Sequence, residues 1–192
     1  LFEIAADKPS LGINATVDPT HTEAFAADWD DLVRLHRFAI ERKATTILEF
    51  GVGKSSVIFA HALNENRERH GQFVRGNLRR NNPFELHSVD DMERYIAATK
   101  ESAPSHLADL CHFHLSSVSM STFNDRICTF YDTLPNICPD LIYLDGPSQS
   151  SVHGSVRGIS TDHPDRLPMA AEELLEAGVL TEGNLYDVLN VS

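Results

Sequence analysis

The chain has 192 residues, with 28 acidic and 16 basic side chains and a formal charge of −12. This length fits one domain, and a composition that is 42% hydrophobic and 23% charged is typical of a globular protein, which argues against long disorder. Because the sequence is acidic and contains no apolar run of about 18 residues, we expect neither a membrane-spanning segment nor a nucleic-acid partner.

The cysteines, at positions 111, 128 and 138, are odd in number and form no C-x-x-C pair. This usage is typical of a reducing compartment, where thiols stay free, and we expect Cys111 and Cys128 to be core thiols. The first residues lack the basic and then apolar pattern of a signal peptide. These features together predict a cytoplasmic protein.

Residues 1–19 show no clear hydrophobic period and are interpreted as an N-terminal arm. Thr20 and Glu23 match a capping box, in which two side chains satisfy free N–H groups of a first helical turn. Apolar residues then recur close to every 3.6 positions, which predicts an amphipathic helix over 21–42. We expect residues 20–192 to form a single domain that begins with this helix.

The next elements are a strand, a glycine turn and a helix. The β-rich run 45–50 predicts the strand, Gly51 and Gly53 form the turn, and the helix is predicted over 55–66, which is the opening of a βαβ unit. Segment 64–82 is polar and locally basic. We interpret it as a solvated excursion, with a substrate lid or an oligomer contact as alternatives.

Strand and helix patterns continue to alternate along the rest of the chain, which predicts an α/β fold with a parallel sheet. Segment 119–134 fits either a strand or a helix turn and is left open. The further predicted elements are strands at 84–89, 111–115 and 140–144, helices at 92–102 and 167–177, and a short strand from 178.

Acidic residues end three of the predicted strands: Glu49, then Asp90 with Asp91, then Asp145. In an open parallel sheet, ligands bind outside the carboxyl ends of the strands. A glycine turn there lets backbone N–H groups approach a negative group, and an acid can accept both hydroxyls of a ribose. We therefore expect a nucleoside-bearing cofactor. As alternatives, Asp90 could cap the next helix and Asp145 could form a turn.

Two phosphate-binding motifs are incomplete at this turn. The last three positions of the P-loop pattern G-x-x-x-x-G-K-[ST] match residues 53–55 (G-K-S), but its first glycine would fall at position 48, which is Leu. The dinucleotide pattern G-x-G-x-x-G lacks its third glycine, because position 56 is Ser. An NAD-dependent oxidoreductase therefore stays only as an alternative.

The remaining pattern resembles the class I S-adenosylmethionine-dependent methyltransferases, and most of all their small-molecule O-methyltransferases. Residues 49–55 (E-F-G-V-G-K-S) are similar to the first motif of that family, Asp90 to its ribose-binding acid, and 139–147 (P-D-L-I-Y-L-D-G-P) to its fourth-strand motif. The resemblance covers roughly 44–180. It implies a Rossmann-like, doubly wound, mainly parallel sheet with helices on both faces, here lacking the last strands.

The resemblance also implies the cofactor, S-adenosyl-L-methionine, and a small-molecule methyl acceptor. The residues that it places around the cofactor are Glu49, Gly51, Gly53 and Ser55 at the methionine part, Asp90 at the ribose, Asp91 or Met92 with Ser117 and Val118 at the adenine, and Asp145 at the methyl-transfer centre. Asp90 lies about twice as far along the chain from the turn as the ~20 residues usual in a nucleotide-binding βαβ unit. The excursion 64–82 accounts for the difference.

Methyl transfer from a sulfonium depends mainly on alignment, and a base is needed only for a hydroxyl or ammonium acceptor. The candidate bases after the fourth strand are His153, Asp162, His163 and Asp165. We select His163, together with Asp145, as the catalytic pair. Segment 162–165 also fits a divalent-cation site or a helix start, and we assign no metal to it.

Other functions remain open at this point. The chain could be a non-catalytic nucleotide-binding or assembly module, in which a partner chain completes the short sheet. A homo-oligomer is likewise an open option, and the identity of the methyl acceptor is not encoded in any motif.

Overall fold

The computed structural model describes residues 28–80, 83–147 and 151–161. Its elements in chain order are helix α1 (Trp29–Glu41), strand β1 (Thr46–Phe50), helix α2 (Lys54–Asn77), strand β2 (Glu85–Asp90), helix α3 (Glu93–Ser102), a 3₁₀ helix (Ser105–Leu110), and strands β3 (Cys111–Leu115), β4 (Val118–Phe123), β5 (Arg126–Tyr131) and β6 (Leu141–Leu144). Within these ranges, none of the helices combines the length and the apolar character that crossing a membrane requires.

Four parallel strands form the central sheet in the order β3-β2-β1-β6. Ile47 of β1 lies beside Leu86 of β2 on one side and beside Leu141 of β6 on the other. The strand order therefore reverses at β1, as in a doubly wound sheet. This parallel sheet with helices packed on it confirms the predicted Rossmann-like α/β class.

The main hydrophobic core lies between the sheet and the described helices. Strand residues such as Ile47 and Leu86 are fully buried against Phe59 and Leu63 of α2. Helix α1 packs on α2, and α3 packs on α2, β2 and β3, so these three helices cover the same face. Truncating a side chain such as Leu63 to alanine is expected to cost about 2–5 kcal/mol.

Strands β4 and β5, which lie between β3 and β6 in the chain, form a β-hairpin. Strands β4 and β5 pair antiparallel, with Val118 opposite Tyr131 at the base and Phe123 opposite Arg126 at the tip. The two turn residues, Asn124 and Asp125, have φ of 48° and 64°, as the mirror-image turns of tight hairpins require. This settles the segment 119–134, which sequence patterns left open.

Helix α1 begins later than its pattern predicted. Its N-cap is Asp28, whose Oδ1 accepts the N–H of Asp30 at 2.8 Å, and the helix starts at Trp29 rather than near position 21. The arm 1–19 and the capping box at Thr20 lie outside the described residues.

Helix α2 continues to Asn77, so the predicted helix end at position 66 was wrong, and residues 64–77 form a helix rather than an excursion. Its basic side chains lie on the outer face, where Arg67 pairs with Asp109 at 2.7 Å, while Val74 is buried against the core. The extra distance between the glycine turn and Asp90 is thus largely helical. The helix predicted at 167–177 and the strand from 178 lie outside the described residues.

Candidate functional site

The carboxyl ends of the four parallel strands meet at one edge of the sheet. Backbone hydrogen bonds tie these ends together: Gly51 donates to Val89 at 2.8 Å, Ser116 to Asp90 at 2.9 Å, and Asp145 to Phe50 at 2.8 Å. Because the strand order reverses beside β1, this edge contains the switch point at which ligands bind in open α/β sheets. We refer to it as the strand-end edge.

Glycine is required at position 51. Its φ of +94° is a backbone conformation that side-chain-bearing residues rarely adopt. A Cβ there would also lie 2.5 Å from the carbonyl oxygen of Asp145. The turn after β1 can therefore pass close to the end of β6 only with glycine at this position.

Gly53 has a different role. A Cβ built on it meets no atom of the described residues within 4 Å, so the turn is open on this side as far as these residues are concerned. Its N–H donates to Oγ of Ser56 at 3.1 Å, which fixes the first turn of α2. The absence of a side chain thus leaves room at the strand-end edge in which a ligand can approach the backbone.

Glu49 lies beneath the turn and is fully buried. Its Oε1 accepts the hydroxyl of Ser55, and its Oε2 accepts those of Ser56 and Ser88, each at 2.6 Å. Burial raises the pKa of the Glu49 carboxyl to about 7, although the three hydroxyls act in the opposite direction. The buried carboxyl therefore connects β1 to both α2 and β2.

Asp90 connects β2 to the turn. Its Oδ2 accepts the N–H of Val52, and its Oδ1 accepts the N–H of Met92, both at 2.7 Å. The side chain is only 5% exposed, and burial raises the pKa of its carboxyl, while these two amides act to lower it. The bond to Met92 makes Asp90 part of the turn before α3, but the N-cap of that helix is Met92 and has no side-chain cap bond, so Asp90 does not cap the helix as its alternative role required.

The Tyr131 hydroxyl is a member of the site that sequence patterns did not identify. Its ring stacks on Phe50 at a centroid distance of 5.3 Å, and its oxygen is 3.4 Å from a Cβ built on Gly146. The oxygen is buried and has no hydrogen-bond partner among the described residues. Burial, reinforced by the charges of Asp90 and Asp91, raises the pKa of this phenol, so it is neutral and able to donate.

Ser117, predicted to contact adenine, is engaged within the protein. Its hydroxyl donates to Oδ2 of Asp132, and that of Ser119 donates to Oδ1 at 2.7 Å. These two hydrogen bonds lower the pKa of the Asp132 carboxyl. The base of the hairpin is thereby fixed beside the end of β3.

Asp145 is exposed after β6 and shares a hydrogen bond with the hydroxyl of Tyr143. Its charge also contributes to the raised pKa of Glu49, which places the two carboxyls close enough to interact. His153 pairs through its backbone with β4, where its N–H donates to Val118 at 2.9 Å. His163, Asp162 and Asp165 lie outside the described residues.

The structure thus brings most of the predicted site residues to one edge. Those that it collects there are Glu49, Gly51, Gly53, Ser55, Asp90, Asp91, Ser117 and Asp145. Their contacts with a cofactor stay predictions. Ser88 and Tyr131 were missed, because only strand register and the hairpin bring them to the edge, and no local motif marks them.

No protein-family model and no curated protein matches this sequence. Among solved structures, the chain is similar to the O-methyltransferase TomG from Streptomyces achromogenes, which is involved in tomaymycin synthesis and was crystallised in complex with SAM. The match has 22% identity and a TM-score of 0.35, and it covers 47% of this chain and 34% of TomG. The chain thus spans about a third of the length of that protein, and a likeness at this level identifies no function by itself.

Proposed function

We propose that the protein binds S-adenosylmethionine at the strand-end edge and transfers its methyl group to a small-molecule acceptor. The observation that carries this proposal is the glycine turn after β1. Asp90 holds the turn at the switch point of the sheet, and the turn is open on its outer side at Gly53.

The residues of this edge fit such a cofactor. The free space at Gly53 allows a ligand to contact the turn backbone, and the N-terminus of α2 follows immediately. A carboxylate oxygen can accept more than one hydrogen bond, so Asp90 can hold the turn and still accept from a ribose hydroxyl. The hydroxyl of Tyr131, which has no hydrogen-bond partner within the described part of the chain, adds a polar group at the same place.

When bound, S-adenosylmethionine supplies an electrophilic methyl group on a sulfonium, whose transfer requires alignment more than covalent help. We propose that Glu49 and Ser55, which bind each other, keep the turn in the shape that receives the methionine part. Asp145 is proposed to face the methyl-transfer centre. His163 remains the proposed base for an acceptor that must lose a proton.

Calorimetric titration of the full chain with S-adenosylmethionine and S-adenosylhomocysteine tests the cofactor proposal. We expect both to bind at the same site and NADH to bind much more weakly. If neither S-adenosylmethionine nor S-adenosylhomocysteine binds, the proposal is contradicted. Tight binding of NADH without binding of S-adenosylmethionine would favour an oxidoreductase.

Asp91→Asn is the informative variant, because it removes one charge beside Asp90 while retaining the side-chain size. Asp125→Asn, at the exposed hairpin turn, removes the same charge elsewhere and is the matched control. We expect weaker cofactor binding only for Asp91→Asn. Mass spectrometry after incubation with isotope-labelled cofactor and a metabolite extract then tests transfer. Binding without any labelled product would favour a non-catalytic module.

A further inference from the structure

We propose that the protein binds one zinc ion, or another divalent transition-metal ion of the same class, between α1 and α2. The ligands would be His36 of α1 with His61 and Glu65 of α2, which we call the helix-pair cluster. These residues belong to the packing of the two helices and not to the strand-end edge. The proposal is therefore independent of the proposed methyl transfer.

The spacing of the three ligand atoms is the first argument. Nε2 of His36 and Nδ1 of His61 are 2.9 Å apart, and each lies 3.5 Å from Oε1 of Glu65. Ligand atoms around a tetrahedral zinc ion, at about 2.0–2.1 Å from the metal, are separated by about 3.3 Å. The three atoms therefore already outline one face of a zinc tetrahedron.

The donor set is the second argument. Two imidazole nitrogens and one carboxylate oxygen suit zinc and its transition-metal neighbours, whereas magnesium prefers oxygen ligands with several waters. Three protein ligands leave a fourth position for water. The side chains of His61 and Glu65 are 34% and 26% exposed, so this position can open to solvent and an ion has a path of entry.

The helices hold these side chains in place. His36 is buried and follows Leu32 by four positions on the inner face of α1, while His61 and Glu65 are four apart on one face of α2. Arg69 bonds Oε2 of Glu65, so that Oε1 points to the imidazoles. A partner of this kind orients metal-ligating carboxylates.

The hydrogen-bonding pattern of the buried ring agrees with this geometry. In the described residues, Nδ1 of His36 has no partner, so the polar contacts of this ring are on its Nε2 side.

A second group on the sheet provides a matched control. Glu85 and His87 of β2 lie beside His112 of β3. Oε2 of Glu85 is 3.0 Å from Nε2 of His87, whereas its Oε1 is 3.8 Å from Nε2 of His112. Nδ1 of His87 is 3.1 Å from His114, and the two rings stack. This group is less evenly spaced than the helix-pair cluster, and stacking among its rings accounts for its arrangement.

Zinc titration of chelator-treated protein by calorimetry, with metal content measured by mass spectrometry, tests the proposal. We expect one zinc per chain and a melting temperature that rises with zinc concentration. Glu65→Gln and His61→Ala should weaken zinc affinity by more than the ~10–100-fold that loss of an outer partner costs. His112→Asn should bind zinc as the native chain does, and magnesium should not compete.

Glu65→Gln preserves side-chain shape, and both altered residues are partly exposed, so circular dichroism should show all variants folded. The absence of zinc binding by the native chain would overturn the proposal. It would also be overturned if Glu65→Gln and His61→Ala bound zinc as the native chain does, or if His112→Asn alone lost it.

Discussion

Val52 donates its backbone N–H to Oδ2 of Asp90 over 2.7 Å, so the carboxylate that ends β2 holds the turn that follows β1. The second oxygen of the same carboxylate holds Met92 at the start of the next turn. Asp90 thus has a structural task in the absence of any ligand. A loss of cofactor affinity in an Asp90 variant therefore combines a lost ligand contact with a displaced turn.

Asp90→Asn is expected to lower the free energy of unfolding by about 1–3 kcal/mol. The carboxylate accepts two backbone N–H groups, and the side-chain NH2 of asparagine would face one of them as a second donor instead of an acceptor. Asp91→Asn should leave stability nearly unchanged, since Asp91 lies partly exposed beyond the end of β2. Urea denaturation of both variants checks this. Equal stability of the two would mean that the Asp90 bonds contribute little.

Glu49 is expected to make stability depend on pH between about 4.5 and 7. Its carboxyl has a pKa of 4.5 when unperturbed and about 7 in the folded protein, so the folded state holds more protons within this window. The contribution of Glu49 to stability is therefore present below pH 4.5 and is lost as pH rises through 7. At 1.36 kcal/mol per pKa unit, the loss is about 3 kcal/mol.

Glu49→Gln should remove this pH dependence, because the amide does not titrate and retains nearly the same shape. Urea denaturation at several pH values from 5 to 8 measures it. Glu101→Gln, which changes an exposed residue at the end of α3, is the control and should retain the native slope. An unchanged slope in Glu49→Gln would show that other groups cause the dependence.

The two glycines of the turn should respond differently to alanine. Gly51→Ala is expected to lose at least about 1–3 kcal/mol of stability, because of its positive φ and its contact with the Asp145 carbonyl. Gly53→Ala should be as stable as the native chain, since its Cβ meets none of the described residues within 4 Å, yet it should bind S-adenosylmethionine more weakly. Thermal melting and calorimetry separate these effects. Native cofactor affinity in Gly53→Ala would place the ligand elsewhere.

Tyr131→Phe is expected to leave stability unchanged or slightly raised, because the hydroxyl is buried without a partner among the described residues and the ring still stacks on Phe50. If the hydroxyl serves a ligand, cofactor affinity should fall about 5–10-fold, the equivalent of one neutral hydrogen bond. Denaturation and titration of the same preparation measure both. A destabilised variant would reveal a structural hydroxyl instead.

Asp140 provides a test at the opposite edge of the sheet. Its carboxylate accepts the N–H groups of Thr45 and Thr46 at 3.0–3.1 Å and pairs with Arg80 at 3.2 Å. Asp140→Ala should lower the free energy of unfolding by about 2–4 kcal/mol, since several charged hydrogen bonds are lost together. Cofactor affinity of the folded variant should not change. A large change in cofactor affinity would mean that the shape of the strand-end edge depends on the hydrogen bonds of Asp140 at the opposite edge.

The sequence predicted the parallel sheet well, because each of its strands is a short run of apolar or alternating residues. The run 111–115 and the observed β3 coincide, and β1 starts one residue after its predicted start. Helix α2 was cut short in the prediction, because segment 64–82 is polar and locally basic and was therefore interpreted as a solvated excursion. Burial of Val74 maintains the helix through this stretch.

Only those site residues that belong to a local sequence motif could be predicted from the sequence. Gly51 and Asp90 are local signals, whereas the bond from Ser88 to Glu49 depends on the register between two strands. The hairpin was missed because Asn124 and Asp125 are not the usual glycine-containing pair. Without the hairpin, nothing in the sequence indicates that Tyr131 reaches the end of β1.

The two ends of the hairpin are held differently. Its base is bound through Asp132 and the stacked Tyr131, while its tip lies about 17–20 Å away, six residues along each strand, and has exposed turn residues, of which Asp125 lies 3.8 Å from Arg157. Residues can be added or lost at the tip without displacing the base. Among homologues, we therefore expect the length of this segment to vary while the tyrosine position is conserved.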